Sequence, residues 1–120
     1  MTARIDALKN RLTKHSEIEI SVIGRKSGRT ISIPVWFVHE DGQLYLLPVQ
    51  GSDTQWYKNV QKKPSIGIKV GDASAESKAV LITDAKQVAP VVEKFRAKYG
   101  AKDVKKYYSK FDVAVVVPMG

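Results

Sequence analysis

Six consecutive residues, Gly24-Arg25-Lys26-Ser27-Gly28-Arg29, gather cations, a hydroxyl and two glycines into one short stretch. Glycine reaches backbone conformations with φ > 0, so the stretch reads as a tight turn whose donors point outward. The strand that follows, over residues 30–38, puts Ile31, Ile33, Val35 and Phe37 on one face. Ser32, Pro34, Trp36 and Val38 fall on the other. A cationic turn feeding a strand that carries an aromatic suits a flat ligand with phosphate-like charge. The plainer reading is a hairpin loop with its charges in water.

Other chemistry is thin. The chain has no cysteine, which removes disulfides, thiolate metal sites and a cysteine nucleophile together. His15 and His39 do not share a metal-ligand spacing, so no metal site is expected. Ser27 lacks the Gly-x-Ser-x-Gly context of a nucleophile elbow, and Gly24-Arg25-Lys26-Ser27 does not fit a Walker loop. Glu17 with Glu19, and Glu40 with Asp41, read as solvated strand and turn positions. No residue acid, base or nucleophile stands out, so if the chain is an enzyme, a bound cofactor does the chemistry and the protein holds and orients. Two aromatic pairs remain: Trp56 with Tyr57, by default a plug in the core, and Tyr107 with Tyr108 on a basic segment. Basic turns with aromatics fit a nucleic-acid module as well as a cofactor site.

The 120 residues make one domain with a single modest core, 43% hydrophobic and 27% charged, an ordinary globular balance. A formal charge of +8 attracts anions without choosing among them, but the lysines are spread along the chain, which argues against a nucleic-acid arm. No apolar run approaches the length of a membrane helix, and the first residues lack the apolar core of a secretory signal, so a cytoplasmic protein is expected.

The elements that would position these residues follow from periodicity. A helix is expected over residues 3–14, and strands over 17–23, 30–38, 44–49, 65–70, about 74–82 and 113–117. Pro34 cannot donate to a ladder and belongs on an edge, at a bulge or where a ligand interrupts the sheet. A short helix over 55–61 follows a cap at Asp53 or Thr54. A longer helix over 83–99, regular from about Val88 because of Pro90, is stopped by Gly100, and a short basic helix runs to about Lys110. The last strand is apolar throughout, as a strand buried on both faces would be. Six antiparallel strands in so short a chain predict a mainly β, α+β fold: a small barrel with helices at its ends.

Taken in order, Gly24-Arg25-Lys26-Ser27-Gly28, Pro34-Val35-Trp36-Phe37, Asp41-Gly42, Gly51-Ser52, Trp56-Tyr57-Lys58-Asn59-Val60 and Pro64 resemble the deazaflavin-dependent nitroreductase family, over roughly residues 18–70. That family belongs to the flavin-reductase-like split β-barrels related to pyridoxamine phosphate oxidases. The resemblance implies a six-stranded split barrel, commonly a homodimer, that binds the deazaflavin coenzyme F420. Arg25, Lys26, Ser27 and Gly28 would hold its phosphate and acidic tail, which suits a bidentate arginine and a point-charge lysine. Pro34, Val35 and Trp36 would line its ring, with Gln50 also on the coenzyme side. Trp56 would close the pocket towards the substrate, joined by Tyr107 and Tyr108. The implied reaction is hydride transfer to an electron-poor acceptor such as a quinone or nitroaromatic. A flavin mononucleotide enzyme of the same fold, and a non-catalytic basic binding module, are the alternatives.

Overall fold

The computed structural model describes residues 16–40, 42–71 and 73–119; the helix expected over 3–14, His15 and Asp41 lie outside them. Strand β1 (Glu17–Ile23) alternates as its sequence demands, burying Ile18, Ile20 and Val22 and leaving Glu17 and Glu19 in solvent. It pairs antiparallel with β2 (Thr30–Trp36) on one side and β5 (Ser65–Val70) on the other, and β5 pairs with β6 (Ala73–Lys78). This first sheet has the order β2-β1-β5-β6. Pro34 therefore sits on an edge strand, opposite Glu19, where its missing N–H breaks no ladder.

The second sheet, β3-β4-β8-β7, consists of β3 (Val38–Glu40), β4 (Gln43–Leu46), β7 (Val80–Ile82) and β8 (Ala114–Pro118). The expected six strands are thus eight, in two four-stranded antiparallel sheets that do not close into a barrel. The physical reason is the same at both extra breaks. The segment expected over 30–38 stops pairing with β1 at Phe37 and resumes as β3 against β4. The segment expected over 74–82 stops pairing with β5 at Ala79 and resumes as β7 against β8. Each crosses from one sheet to the other and cannot keep one ladder through the bend.

Strand β8 separates two cores. Val113, Val115 and Val117 face a larger one between the sheets, with Ile20, Phe37, Leu44, Leu46, Trp56, Tyr57, Ile66 and Ile68. Ala114 faces a second core formed by Val38, Leu47, Val88, Val91, Val92, Phe95, Val104 and Tyr108. That double burial is what its unbroken apolar sequence requires.

Helix α1 (Gln55–Lys62) buries Trp56, Tyr57, Asn59 and Val60. Thr54 holds its N-cap position, yet the hydroxyl accepts from the Gln50 amide (2.7 Å) rather than from the helix. Helix α2 (Ala85–Tyr99) begins three residues before Val88, because the Asp84 carboxylate caps the Lys86 amide (3.0 Å). Pro90 is accommodated inside it on the exposed side, where water can serve the carbonyl left without a donor. Gly100, at φ 93°, ends α2 and opens α3 (Ala101–Tyr107). No helix among the described residues is long and apolar enough to cross a membrane.

The break at Phe37 is clamped from α2. Phe37 is fully buried, and its amide donates to the Tyr99 hydroxyl (3.0 Å). That hydroxyl lies within reach of the carbonyls of Phe37 (2.8 Å) and Ser16 (2.7 Å), and Lys98 Nζ donates to the Phe37 carbonyl at 2.8 Å. Burial is the main cause that pushes the Tyr99 phenol up to about 12. A phenol raised in the folded state contributes stability that is complete below about pH 10 and is lost as pH climbs through its folded value. Tyr99→Phe leaves the buried Phe37 amide without its acceptor, at a cost of about 1–3 kcal/mol. Denaturant unfolding should show that loss at pH 7, and a shallower fall in stability between about pH 10 and 12 than the parent protein shows.

Candidate functional site

Trp36, the last residue of β2, leaves the sheet beside the helices. Its indole lies flat on Tyr99, ring centroids 4.2 Å apart with 8° between planes. Tyr107 approaches it edge-on (5.5 Å, 77°) and Tyr108 at a tilt (6.0 Å). These are favourable aromatic geometries, and they fix the indole from below and from the side. Around them opens a cleft of about 330 Å³ lined by Glu17, Pro34, Val35, Trp36, Leu47, Val49, Tyr107 and Tyr108. The walls are mostly apolar and aromatic, which suits planar rings.

Two segments distant in sequence build the far wall. Leu47 and Val49 precede a 3-10 turn (Gly51–Asp53), and Tyr107 and Tyr108 end α3. Ser109 donates its amide to the Val49 carbonyl (2.9 Å), and Gln50 and Lys110 form a parallel bridge. The Asp112 carboxylate accepts from both the amide (2.9 Å) and the hydroxyl (2.5 Å) of Ser52, while Lys110 Nζ pairs with Asp53 at 3.2 Å. The Ser52 donors lead the causes that hold the Asp112 carboxyl below its ordinary range, against a desolvation that raises it. A Cβ on Gly51, whose φ is 56°, would fall 2.1 Å from that carboxylate, so the join needs glycine here.

The basic turn lies at the other end of β2. From Thr30 to Trp36 is six strand steps, roughly 20 Å at about 3.3 Å per residue. Gly24 donates to the Arg29 carbonyl (2.8 Å) and Gly28, at φ 72°, to the Gly24 carbonyl (2.9 Å). A Cβ on Gly24 would meet the Ser27 hydroxyl at 2.7 Å. Arg25 turns inward. Its guanidinium donates to Asn59 Oδ1 (2.8 Å) and Gln55 Oε1 (2.8 Å), and its amide also donates to Asn59 Oδ1 (3.1 Å). Ser27 Oγ accepts from the Arg29 amide (3.2 Å). Lys26 and Arg29 are exposed, and no ion pair among the described residues involves them. With the amides of Gly24, Arg25, Gly28 and Arg29 engaged, those of Lys26 and Ser27 remain as donors for a ligand.

The structure brings Pro34, Val35, Trp36, Tyr107 and Tyr108 into one cleft, and keeps Arg25, Lys26, Ser27 and Gly28 together in the turn. Gln50 is exposed one residue beyond the cleft's Val49. Trp56 is only 4% exposed, sits in the larger core and is not among the cleft's lining residues. Sequence reasoning missed Leu47, Val49 and Glu17. The first two are ordinary aliphatics in a loop. Glu17 carried a usable signal, since antiparallel pairing of β1 with β2 puts it opposite Trp36. Burial, with Tyr99 a lesser cause, pushes the Tyr108 phenol up, so its hydroxyl stays protonated at neutral pH.

The cleft and the turn fit a long ligand with a flat, apolar end and an anionic end. Because Arg25 ties the turn to α1, Arg25→Ala should cost about 1–2 kcal/mol in denaturant unfolding, leaving buried Asn59 short of a donor. Lys26→Ala, at an exposed side chain with no hydrogen bond or ion pair among the described residues, should stay within about 0.5 kcal/mol of the parent.

The protein family described as F420H(2)-dependent quinone reductase matches residues 3–119. Among solved structures, the chain is similar to an F420-H2 dependent reductase, FDR-A, at 18% identity and a TM-score of 0.67, covering 86% of this chain and 94% of that one. It is similar to a protein solved as a domain-swapped dimer at 17% identity and a TM-score of 0.68, covering 97% and 98%. It also resembles the heme storage protein HutZ from Vibrio cholerae at 11% identity and a TM-score of 0.71, covering 93% and 86%. At such identities the likeness to these structures is one of fold. No curated protein sequence matches the chain.

Proposed function

The chain belongs to the F420H(2)-dependent quinone reductase family and is a deazaflavin-dependent oxidoreductase; from that premise we propose that its acceptor is a quinone, reduced in the cleft beside Trp36. The observation that carries this reading is the meeting of Pro34, Val35, Trp36, Tyr107 and Tyr108 around about 330 Å³ of mostly apolar space. Family membership also decides for the deazaflavin over flavin mononucleotide.

Reduced coenzyme F420 supplies the hydride when bound. The chain's own part is to bind, orient and exclude water. Lys26, Arg29 and the free amides of Lys26 and Ser27 hold the anionic end of the coenzyme at the start of β2. Arg25 acts from behind, fixing the turn to α1. Pro34, Val35 and Trp36 carry the ring. The Tyr99 stack holds the indole in one plane, which limits the orientations a stacked ring can adopt. Tyr107 and Tyr108 face the acceptor, and the protonated Tyr108 hydroxyl is a hydrogen-bond donor for a quinone oxygen. A protein of this fold has been solved as a domain-swapped dimer, and a homodimer is the assembly we assign to this chain.

The test is a fluorescence titration with F420, followed by anaerobic oxidation of F420H2 in the presence of quinones and nitroaromatics. F420 should bind at micromolar concentration, with quinones as the better acceptors. Replacing Lys26 and Arg29 together with alanine should weaken binding by about tenfold to a hundredfold, from the loss of two charge-assisted contacts. Unchanged affinity in that double variant would put the coenzyme's anionic end elsewhere. Failure of every quinone to oxidise F420H2 would overturn the acceptor assignment.

A further inference from the structure

Glu17 is the one charged residue among the described residues that line the Trp36 cleft. The β1–β2 register sets it directly opposite Trp36, so the carboxylate and the indole project from the same face of the sheet. Its neighbourhood on that face is unusual in a chain of formal charge +8. Two residues along β1, Glu19 lies opposite Lys69 of β5. The β1–β5 ladder ends at that pair, so Glu17 has no residue opposite it on β5. None of the ion pairs among the described residues involves Glu17. A carboxylate without an ion-pair partner among the described residues thus stands at the edge of the Trp36 cleft, with Lys69 bordering the depression on its other side.

The aromatic side of the pocket points the same way. Ring faces carry negative quadrupole density and attract cations, most strongly for tryptophan. Trp36, Tyr107 and Tyr108 line the cleft, and the two tyrosines meet the indole at 77° and 48° rather than stacking on it. Tyr99 covers one face of Trp36, Phe111 stacks on Tyr108, and Lys106 Nζ lies 5.3 Å from the Tyr107 ring. A carboxylate beside such rings adds a Coulombic attraction of the same sign. An anionic aromatic entering here meets both repulsions.

We infer that the cleft selects planar aromatic acceptors by charge, taking those that carry a positive charge in or next to the ring in preference to neutral isosteres and disfavouring anionic ones, with Glu17 as the specificity-determining residue. This rests on the reading of the cleft as the acceptor's place. It also fits the polarity of the β1–β2 hairpin, which has cations in its turn for the anionic end of the coenzyme and the Glu17 carboxylate at its open end.

The experiment is calorimetric titration of the full chain without coenzyme, so that it can fail separately from the proposed reaction. The probes are 1-methylquinolinium, its neutral isostere 1-methylnaphthalene, and 1-naphthoate. The cation should bind about tenfold tighter than the isostere, and naphthoate more weakly than either. Glu17→Gln should shrink the cation's advantage to about threefold or less, the share left to the rings. In the parent the advantage should also fall as salt rises from about 0.02 to 0.5 M, because an exposed carboxylate is screened over that range. Glu17→Ser serves as a second variant, and thermal unfolding checks that both fold. Equal binding of the three probes, a full cation advantage in both variants, or no binding of any probe would each overturn the inference.

Discussion

A buried backbone N–H and C=O must find partners, and a strand that leaves its ladder gives up those it had. At Phe37 the chain does this in the middle of the protein, where water cannot help. The Tyr99 hydroxyl and the Lys98 ammonium, both from the last turn of α2, supply the missing donors and acceptor. The same tyrosine presents its ring to Trp36. One side chain thus closes the strand break with its hydroxyl and supports the cleft floor with its ring. The position of α2, the crossing from one sheet to the other and the plane of the indole are set together.

Much of this was legible in sequence because it rests on local periodicity. β1 and β5 alternate cleanly and appear with the expected ends, and Gly100 ends α2 as expected, whereas the Asp84 cap that starts it before Val88 was not read. The unbroken valines of β8 announced a strand covered on both faces. The breaks at Phe37 and Ala79 were not legible. Each lies inside a stretch that reads as one strand, and what interrupts it is a change of pairing partner, which no local pattern records. Pro34 was read as an edge or bulge signal, and the edge is where it lies.

The candidate site divides in the same way. Pro34, Val35 and Trp36 are neighbours in sequence and stay neighbours in space, and the basic turn is a local motif. The far wall is made by tertiary contacts, so Leu47 and Val49 gave no sign of themselves. Arg25 shows a subtler limit. Its residue type and place suit an anion, but the side-chain oxygens of Gln55 and Asn59, 30 and 34 residues away in sequence, claim its guanidinium. The basic surface therefore offers ligands less than its composition suggests, while the turn gains a rigid backing from α1.

The polar join between the 3-10 turn and the segment after α3 bears on how the protein is made as well as on how it binds. Ser52 and Asp112 stand 60 positions apart, and the two cleft walls touch only when that span has been closed. Contacts of such separation form late, after helices and hairpins have settled. Until then Leu47, Val49, Tyr107 and Tyr108 are sticky surfaces facing water on an otherwise ordered chain. The cleft walls are thus apolar surface left uncovered until the join forms, and Gly51 is what lets its two segments come so close.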